Sequence, residues 1–275
     1  MAETISLNEA SEKLGVHYMT AYRYVRTGRL PAEKRGGQWH VNVDDLANLQ
    51  TGRVTDTSRP EVIPGRLEER LLAGDENGSF QLLESAMAGG ADADEVYLDL
   101  LAPALTNIGQ RWHDGEIDIA DEHIATAVAI RVVARLGPLV GTNRGRSRGT
   151  IVLATVANDH HLLPTAILRD LLRARSFDVE DLGGNTPPDS VAARCAATND
   201  LVAIGLSATT LGADEIASVT IAAIRDQLPD TPIVVGGGAF ASSDDIEKLG
   251  DCIPSDSARD ALVTFDRLHQ ELRAG

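Results

Sequence analysis

The stretch IVLATVANDHHLLPTAI, residues 151–167, passes from an apolar run through a short polar loop into a helix. The apolar run from Ile151 to Ala157 has the length and composition of a strand buried on both faces. Pro164 fits the first turn of a helix, where its missing N–H is not needed. Because a strand that leads directly into a helix is the repeating unit of a parallel sheet, this stretch predicts an α/β fold.

The same alternation of strand and helix continues toward the C-terminus. Further short apolar runs predict strands at 179–182, 201–206 and 233–235, with helices near 164–174, 188–198 and 214–227. We therefore predict a doubly wound parallel sheet, Rossmann-like or flavodoxin-like, over residues 147–275. Such sheets bind ligands at the carboxyl ends of their strands. The loops at those ends are 158–163, 183–185, 207–209 and 236–238.

Residues 61–146 have a helical pattern instead. Four amphipathic segments with short connections predict a four-helix bundle, and they cover residues 66–72, 80–87, 96–110 and 119–136. The polar stretch 53–60 before the bundle is predicted to be a flexible linker.

Residues 1–52 predict a winged helix-turn-helix. Ser6 and Glu9 can form a capping box at the start of a short helix that Gly15 ends. A second helix follows a turn and ends at Gly28, which is the order of a helix-turn-helix. Short extended arms on both sides of Gly36-Gly37 then predict a hairpin wing.

The formal net charge of −16 argues against nonspecific nucleic-acid binding by the whole molecule. Residues 1–53, however, carry seven Lys or Arg against six Asp or Glu, so the acidic excess lies in the rest of the chain. The N-terminus has no signal-peptide pattern and no apolar run approaches 18 residues, so we expect a cytoplasmic protein. Cys195 and Cys252 lack metal-ligand spacing and are expected to be inert thiols.

Two histidine sites in separate segments suggest a metal-centred cofactor held between them. Glu122 and His123 belong to the bundle, with nine residues between Trp112 and Glu122, while His161 follows the first predicted strand. Asp159 can orient the imidazole of His161 by accepting its ring N–H. Imidazole is a common ligand of transition metals, so His123 and His161 are the candidate metal ligands.

The N-terminal run resembles the MerR-like and excisionase-like helix-turn-helix family. Its residues include Leu-Gly-Val at 14–16, Tyr-Arg at 22–23, Gly-Arg-Leu-Pro at 28–31 and Gly-Gly-Gln-Trp at 36–39. The resemblance implies double-stranded DNA as a partner, and a small protein-interaction module is the alternative. The residues expected to approach the groove are Tyr18, Thr20, Tyr22 and Arg23, and those expected to contact phosphates are Arg26, Lys34 and Arg35.

The C-terminal region resembles cobalamin-binding domains, which carry Asp-x-His-x-x-Gly, a Ser loop and Gly-Gly. The matching residues are Asp159-x-His161-x-x-Pro164, the loop 205–209 and the glycines at 236–238. The resemblance implies that His161 lies below cobalt. It also implies that the nucleotide tail occupies a slot lined by Ser207, Thr209, Gly236 and Gly237. Pro164 replaces the motif glycine, so His160 stays an alternative ligand.

The spacing of Trp112, Glu122 and His123 resembles the W-x9-E-H motif of the CarH and LitR photoreceptors. That resemblance implies a light-responsive transcriptional regulator with adenosylcobalamin as chromophore. Trp112 and Glu122 would then pack around the adenosyl group, and His123 would become a second axial ligand after photolysis. It further implies a homo-oligomer, tetrameric in the dark, that binds a DNA operator and is not an enzyme.

Two alternatives share the bundle and the sheet. The first is a corrinoid methyl carrier that works with a separate methyl donor protein. The second keeps the DNA-binding module but senses cobalamin, or another tetrapyrrole such as a bilin, independently of light. The N-terminal DNA-binding module and the Trp-x9-Glu-His spacing, which methyl carriers lack, argue against the first alternative, whereas the residues do not exclude the second.

Overall fold

The computed structural model describes residues 4–14, 21, 25, 30–35, 38–43, 63–140, 146–240 and 243–274. In the N-terminal part, β1 (Thr4–Ser6), β2 (Ala32–Arg35) and β3 (Gln38–Asn42) form an antiparallel sheet in the order β1-β3-β2. Helix α1 (Leu7–Leu14) begins at the predicted capping box, where the Ser6 hydroxyl accepts the Glu9 N–H and the Glu9 carboxylate accepts the Ser6 N–H. The hairpin of β2 and β3 confirms the predicted wing.

The helical region forms the predicted bundle. Its helices are α2 (Ile63–Leu72), α3 (Glu76–Ala88), α4 (Ala102–His113) and α5 (Ile119–Leu136). A π-helical segment, Glu95–Leu101, leads into α4, where the Ala102 N–H donates to the Tyr97 carbonyl five residues earlier. The sequence pattern predicted a helix from residue 96 but not this wider turn. The bundle comprises α2 to α5 together with the π-helical segment.

The α/β unit, β4 to α10, is a five-stranded parallel sheet with helices on both faces. Its strands lie in the order β5-β4-β6-β7-β8, the flavodoxin-like arrangement with a switch point beside β4. The strands are β4 (Thr150–Thr155), β5 (Asp178–Asp181), β6 (Leu201–Ser207), β7 (Ile233–Gly236) and β8 (Ile253–Ser255), and the helices are α6 (Leu163–Ala174), α7 (Pro188–Ala197), α8 (Asp214–Gln227), α9 (Ser243–Glu247) and α10 (Ala258–Ala274). The doubly wound sheet is confirmed, whereas β8, α9 and α10 were not predicted.

Alternate residues of β4 face two separate cores, as the period of a strand requires. Val152 and Ala154 belong to the core that contains residues of α7 and α8. Ile151 and Leu153 belong to the other core, which includes residues of α6 and α10 and continues into the bundle. The bundle and the α/β unit therefore share one apolar core, and this fixes the bundle against one face of the sheet.

None of the described helices is both long enough and apolar enough to cross a membrane. The longest of them, α5, has 18 residues, and it carries Asp121 and Glu122 in its first turn and Arg135 in its last.

Candidate functional site

The loop after β4 holds His161 through a buried carboxylate. Asp159 has no exposed surface, and its Oδ1 lies 2.6 Å from Nδ1 of the His161 ring. The same oxygen accepts the His161 backbone N–H at 3.1 Å. The Thr155 hydroxyl, at the end of β4, donates to the His161 carbonyl at 3.1 Å. The imidazole and its backbone are thus both fixed to the carboxyl end of β4.

The other oxygen of Asp159 reaches the loop that follows β6. Asp159 Oδ2 accepts the N–H of Thr209 and, at 3.1 Å, the N–H of Thr210. Burial by itself would raise the pKa of the Asp159 carboxyl, but the hydrogen bonds from Thr209, His161 and Thr210 outweigh burial and hold that pKa below its usual value. One carboxylate therefore joins two strand-end loops.

The ionisation of Asp159 determines which nitrogen of His161 is available. An ionised carboxylate only accepts hydrogen bonds, so Nδ1 of the ring carries the proton and donates it. In the tautomer with one ring proton, the lone pair is then on Nε2, and the His161 side chain is 56 % exposed at the edge of the sheet. A carboxylate that accepts the Nδ1–H of an imidazole is the arrangement that proteins use to orient a metal-ligating histidine.

The two neighbouring histidines differ in their support. His160 is exposed, and within the described part of the chain no hydrogen bond holds its ring. His161 has the Asp159 carboxylate as a partner, which favours His161 as the ligand. Pro164 lies in the first turn of α6, where proline is well tolerated, so its replacement of the motif glycine leaves the helix start intact.

The predicted slot residues lie together at the ends of β6 and β7. The Ala208 N–H donates to the Gly236 carbonyl at 3.0 Å. Gly237 has φ +128°, and a Cβ there would overlap the carbonyl oxygen of Ala208, so only glycine permits this close approach. Ser207 ends β6 in a half-buried position.

A polar atom in this region fits a bound group. The hydroxyl oxygen of Thr209 is buried and has no hydrogen-bond partner among the described residues. Because buried hydroxyls nearly always have partners, a ligand that supplies one would complete the site. Beside it, a cavity of about 380 Å³ is lined by Ala157, Asn158, Asp159 and residues of the loop 210–213.

Sequence reasoning missed Asn158. Its N–H donates to the side-chain oxygen of Asn185 at 2.8 Å, and the Asn185 N–H donates to the Asp159 carbonyl at 2.7 Å. Both asparagines have positive φ values, a conformation that Asn adopts more readily than most residues. An Asn directly after an apolar strand was the available signal, although it did not reveal the partner 27 residues away.

The bundle residues are accessible but are not joined to the sheet loops. Trp112, in α4, is 46 % exposed, and the His123 side chain, in α5, is 72 % exposed. Glu122 accepts a hydrogen bond from the Thr126 hydroxyl at 2.6 Å. Within the described residues, no hydrogen bond or ion pair joins His123 to His161, so their shared role as metal ligands stays a prediction.

Most of the predicted DNA-contact residues are not among the described residues. Tyr18, Thr20, Tyr22, Arg23 and Arg26 lie outside the described residues. Lys34 and Arg35 lie in β2 of the wing, and the Lys34 ammonium is exposed, 5.9 Å from the ring centroid of Trp39.

Comparison with known families finds three matches along the chain. A helix-turn-helix domain model matches residues 4–53. Two models, each described as a B12 binding domain, match residues 65–136 and 149–265. The first of these lies on the bundle and the second on the α/β unit.

The relatives found are corrinoid proteins. A trimethylamine corrinoid protein of Methanosarcina barkeri is 23% identical over 209 residues, which cover 74% of this chain and 94% of the relative. A corrinoid protein of Desulfitobacterium hafniense is 25% identical over 177 residues, or 62% and 82% of the two chains. Among solved structures, the monomethylamine corrinoid protein of Methanosarcina barkeri shares the fold, with a TM-score of 0.59, 18% identity and coverage of 73% and 96%.

These findings correct one prediction from the sequence. The light-responsive transcriptional regulator is wrong, because the relatives are corrinoid proteins named for methylamines and match the alternative, a methyl carrier. The physical reason is that the spacing of Trp112, Glu122 and His123 places them at the end of one bundle helix and the start of the next. That placement does not specify which chemical group lies nearby. The chain nevertheless contains a helix-turn-helix domain and two B12-binding domains, and its α/β unit has the cobalamin-binding Rossmann-like fold.

Proposed function

We propose that this chain binds a corrinoid and carries a methyl group on it between partner proteins. The observation that carries the proposal is the Asp159–His161 pair at the carboxyl end of β4, which leaves Nε2 of the imidazole available to a metal. The trimethylamine corrinoid proteins, which align with about three quarters of the chain, support the same function. When bound, a corrinoid supplies a cobalt centre that accepts a methyl group from one partner and releases it to another.

The protein's own residues bind the corrinoid and orient the imidazole of His161. Asp159 keeps the proton on Nδ1 of His161, so that Nε2 is the ligating atom. The Thr209 hydroxyl offers a hydrogen bond to the bound group, and Gly237 allows the backbone to approach it closely. His161, Asp159, Ser207, Thr209, Gly236 and Gly237 are therefore the proposed corrinoid-binding residues.

Corrinoid binding is tested with a matched pair of neighbouring histidines. The purified protein is incubated with hydroxocobalamin and desalted, and the absorption spectrum of the protein fraction is recorded. We expect His161→Ala to lose the shift that distinguishes bound from free hydroxocobalamin and His160→Ala to retain it. A colourless wild-type fraction would reject the proposal, and equal spectra for the two variants would reject His161 as the ligand.

Methyl carriage is tested separately from binding. The loaded protein is reduced with titanium(III) citrate, treated with ¹⁴C-methyl iodide, desalted and then given a thiol acceptor. A carrier retains the label through desalting and passes it to the thiol. A protein that binds the corrinoid but retains no ¹⁴C label, under conditions in which free cobalamin is methylated, would exclude carriage while leaving corrinoid binding intact. Loading with adenosylcobalamin in parallel measures whether the adenosyl form, which was predicted from Trp112 and Glu122, is accepted.

The helix-turn-helix match at residues 4–53 favours a second candidate function, because a helix-turn-helix domain is typical of DNA-binding proteins. In this candidate, corrinoid binding changes the affinity of the N-terminal domain for double-stranded DNA, independently of light. Gel-shift titration with a random-sequence duplex pool, with and without hydroxocobalamin, tests it. Arg23→Ala and Lys34→Ala should weaken DNA binding. The control is Arg267→Ala, which removes a basic side chain from α10 and should leave DNA binding unchanged. The homo-oligomer stays a prediction that sedimentation measures.

A further inference from the structure

Three polar contacts between the bundle and the α/β unit come from one short segment, residues 94–99. Asp94 receives two hydrogen bonds from Arg175, at 2.6 and 3.0 Å, and Asp99 receives one from Arg259 at 2.7 Å. The Tyr97 hydroxyl donates to Asp170 at 2.7 Å. Residues 95–101 are the π-helical segment. Such π-turns are rare in proteins, and many of those that are found lie at functional sites.

The Tyr97–Asp170 hydrogen bond is the buried contact of the three. Tyr97 is fully buried and Asp170 is 4 % exposed, whereas Arg259 and Asp99 are each about half exposed. A buried hydrogen bond to a carboxylate is costly to break, while an exposed ion pair contributes little. Asp170 is also close to the end of α5, since a Cβ on Gly137 would lie 2.9 Å from its Oδ2. Two elements of the bundle thus converge on this carboxylate.

From Asp170, polar contacts continue toward the loop that carries His161. Asp170 Oδ1 accepts a hydrogen bond from Arg169 Nε at 3.0 Å, and the same guanidinium lies 3.6 Å from the carboxylate of Asp181. Asp181 in turn accepts the Gly183 N–H at 3.0 Å, where the loop after β5 begins.

That loop packs directly on the backbone around Asp159. A Cβ on Gly184 would lie 3.2 Å from the Asp159 carbonyl oxygen and 3.3 Å from the His160 carbonyl carbon. The next residue, Asn185, donates its N–H to the Asp159 carbonyl. A continuous set of contacts therefore runs from Tyr97 in the bundle to the backbone that sets the position of His161.

We infer that Tyr97 and Asp170 are positioning residues for His161, so that the attachment of the bundle sets the geometry of the metal-ligating loop. The inference rests on the proposed function, because it takes His161 as the ligand. Helix α6, which contains both Arg169 and Asp170, begins two residues after His161 and provides a second rigid connection to the same loop. Packed networks of this kind transmit displacement because their side chains have few alternative arrangements.

The test uses Tyr97→Phe, which keeps the ring and removes only the hydroxyl. Its matched control is Asp99→Asn, which weakens an exposed contact of the same segment. The first readout is hydrogen exchange of the ligand-free protein in peptides covering residues 156–163 and 183–186. We expect Tyr97→Phe to speed exchange in both peptides and Asp99→Asn to leave them unchanged. The second readout is hydroxocobalamin affinity, which should fall about tenfold or more in Tyr97→Phe, as for other groups that orient a metal ligand.

The outcomes separate the inference from the proposed function. Faster exchange confined to bundle peptides, with wild-type affinity, would mean that Tyr97 only stabilises packing, and would overturn the inference. A wild-type protein that binds no corrinoid, yet shows the loop response to Tyr97→Phe, would overturn the proposed function while retaining the coupling. If Tyr97→Phe does not fold, Arg169→Gln breaks the same network one step closer to the loop and is held to the same criteria.

Discussion

Replacing Asp159 by Asn should both destabilise the protein and change the tautomer of His161. The carboxylate accepts hydrogen bonds from the His161 ring, the His161 N–H, the Thr209 N–H and the Thr210 N–H, and it has no exposed surface. An amide oxygen can replace only one of the two carboxylate oxygens. The amide nitrogen then faces N–H donors, either those of Thr209 and Thr210 or that of His161.

The cost follows from these contacts. At least one buried backbone N–H loses its acceptor, and the charge of the remaining hydrogen bonds is lost, so the free energy of unfolding should fall by about 2 to 4 kcal/mol. If the amide nitrogen donates to the His161 ring, Nδ1 becomes the acceptor and Nε2 carries the proton. Hydroxocobalamin affinity should then fall by roughly 10- to 100-fold.

Urea unfolding followed by circular dichroism measures the stability change. Asp178→Asn is the control, because Asp178 is exposed and accepts one hydrogen bond from the Ser147 hydroxyl at 2.6 Å. We expect its effect to stay within about 0.5 kcal/mol. If the free energy of unfolding of Asp159→Asn fell by less than about 1 kcal/mol, and by no more than that of the control, the argument that this carboxylate joins the two loops would be refuted.

Three further predictions concern other parts of the α/β unit. Gly237→Ala should lower stability by roughly 2 kcal/mol or more because of its positive φ and the overlap with a neighbouring carbonyl. Gly238→Ala should not, because its Cβ would make only an ordinary contact, 3.9 Å from Cγ2 of Thr209; equal melting temperatures of the two variants would contradict this. Burial raises the pKa of the Cys195 thiol to about 12, so at pH 8 it should react with Ellman's reagent roughly 1000-fold more slowly than an exposed thiol, and Cys252 should react first. Burial and nearby arginines lower the pKa of His269, so the unfolded state binds a proton at this residue more readily than the folded state does. The contribution of His269 to stability is therefore complete above about pH 6.5 and is lost as pH falls through the lowered pKa. Urea midpoints of His269→Gln should vary less between pH 5 and 7 than those of wild type, and parallel curves would reject this.

Local patterns were sufficient for most elements of the fold. The helix predicted at 214–227 has the same bounds in the structure, and the capping box of Ser6 and Glu9 is present. These features depend on residues a few positions apart, so the sequence contains their full cause. The strand β8 was missed because it has three residues and includes a proline, which gives too short a pattern to recognise.

The sequence by itself determined the alternation of strands and helices, and it placed Asp159 and His161 at the edge of the sheet where ligands bind. Only the tertiary structure decided which groups those residues meet. The second oxygen of Asp159 bonds to a loop 50 residues away, and Tyr97 bonds to Asp170 across 73 residues. The periodicity of a segment records which face is buried but not which partner covers it, so contacts between distant segments are fixed only when the bundle and the sheet pack around their shared core.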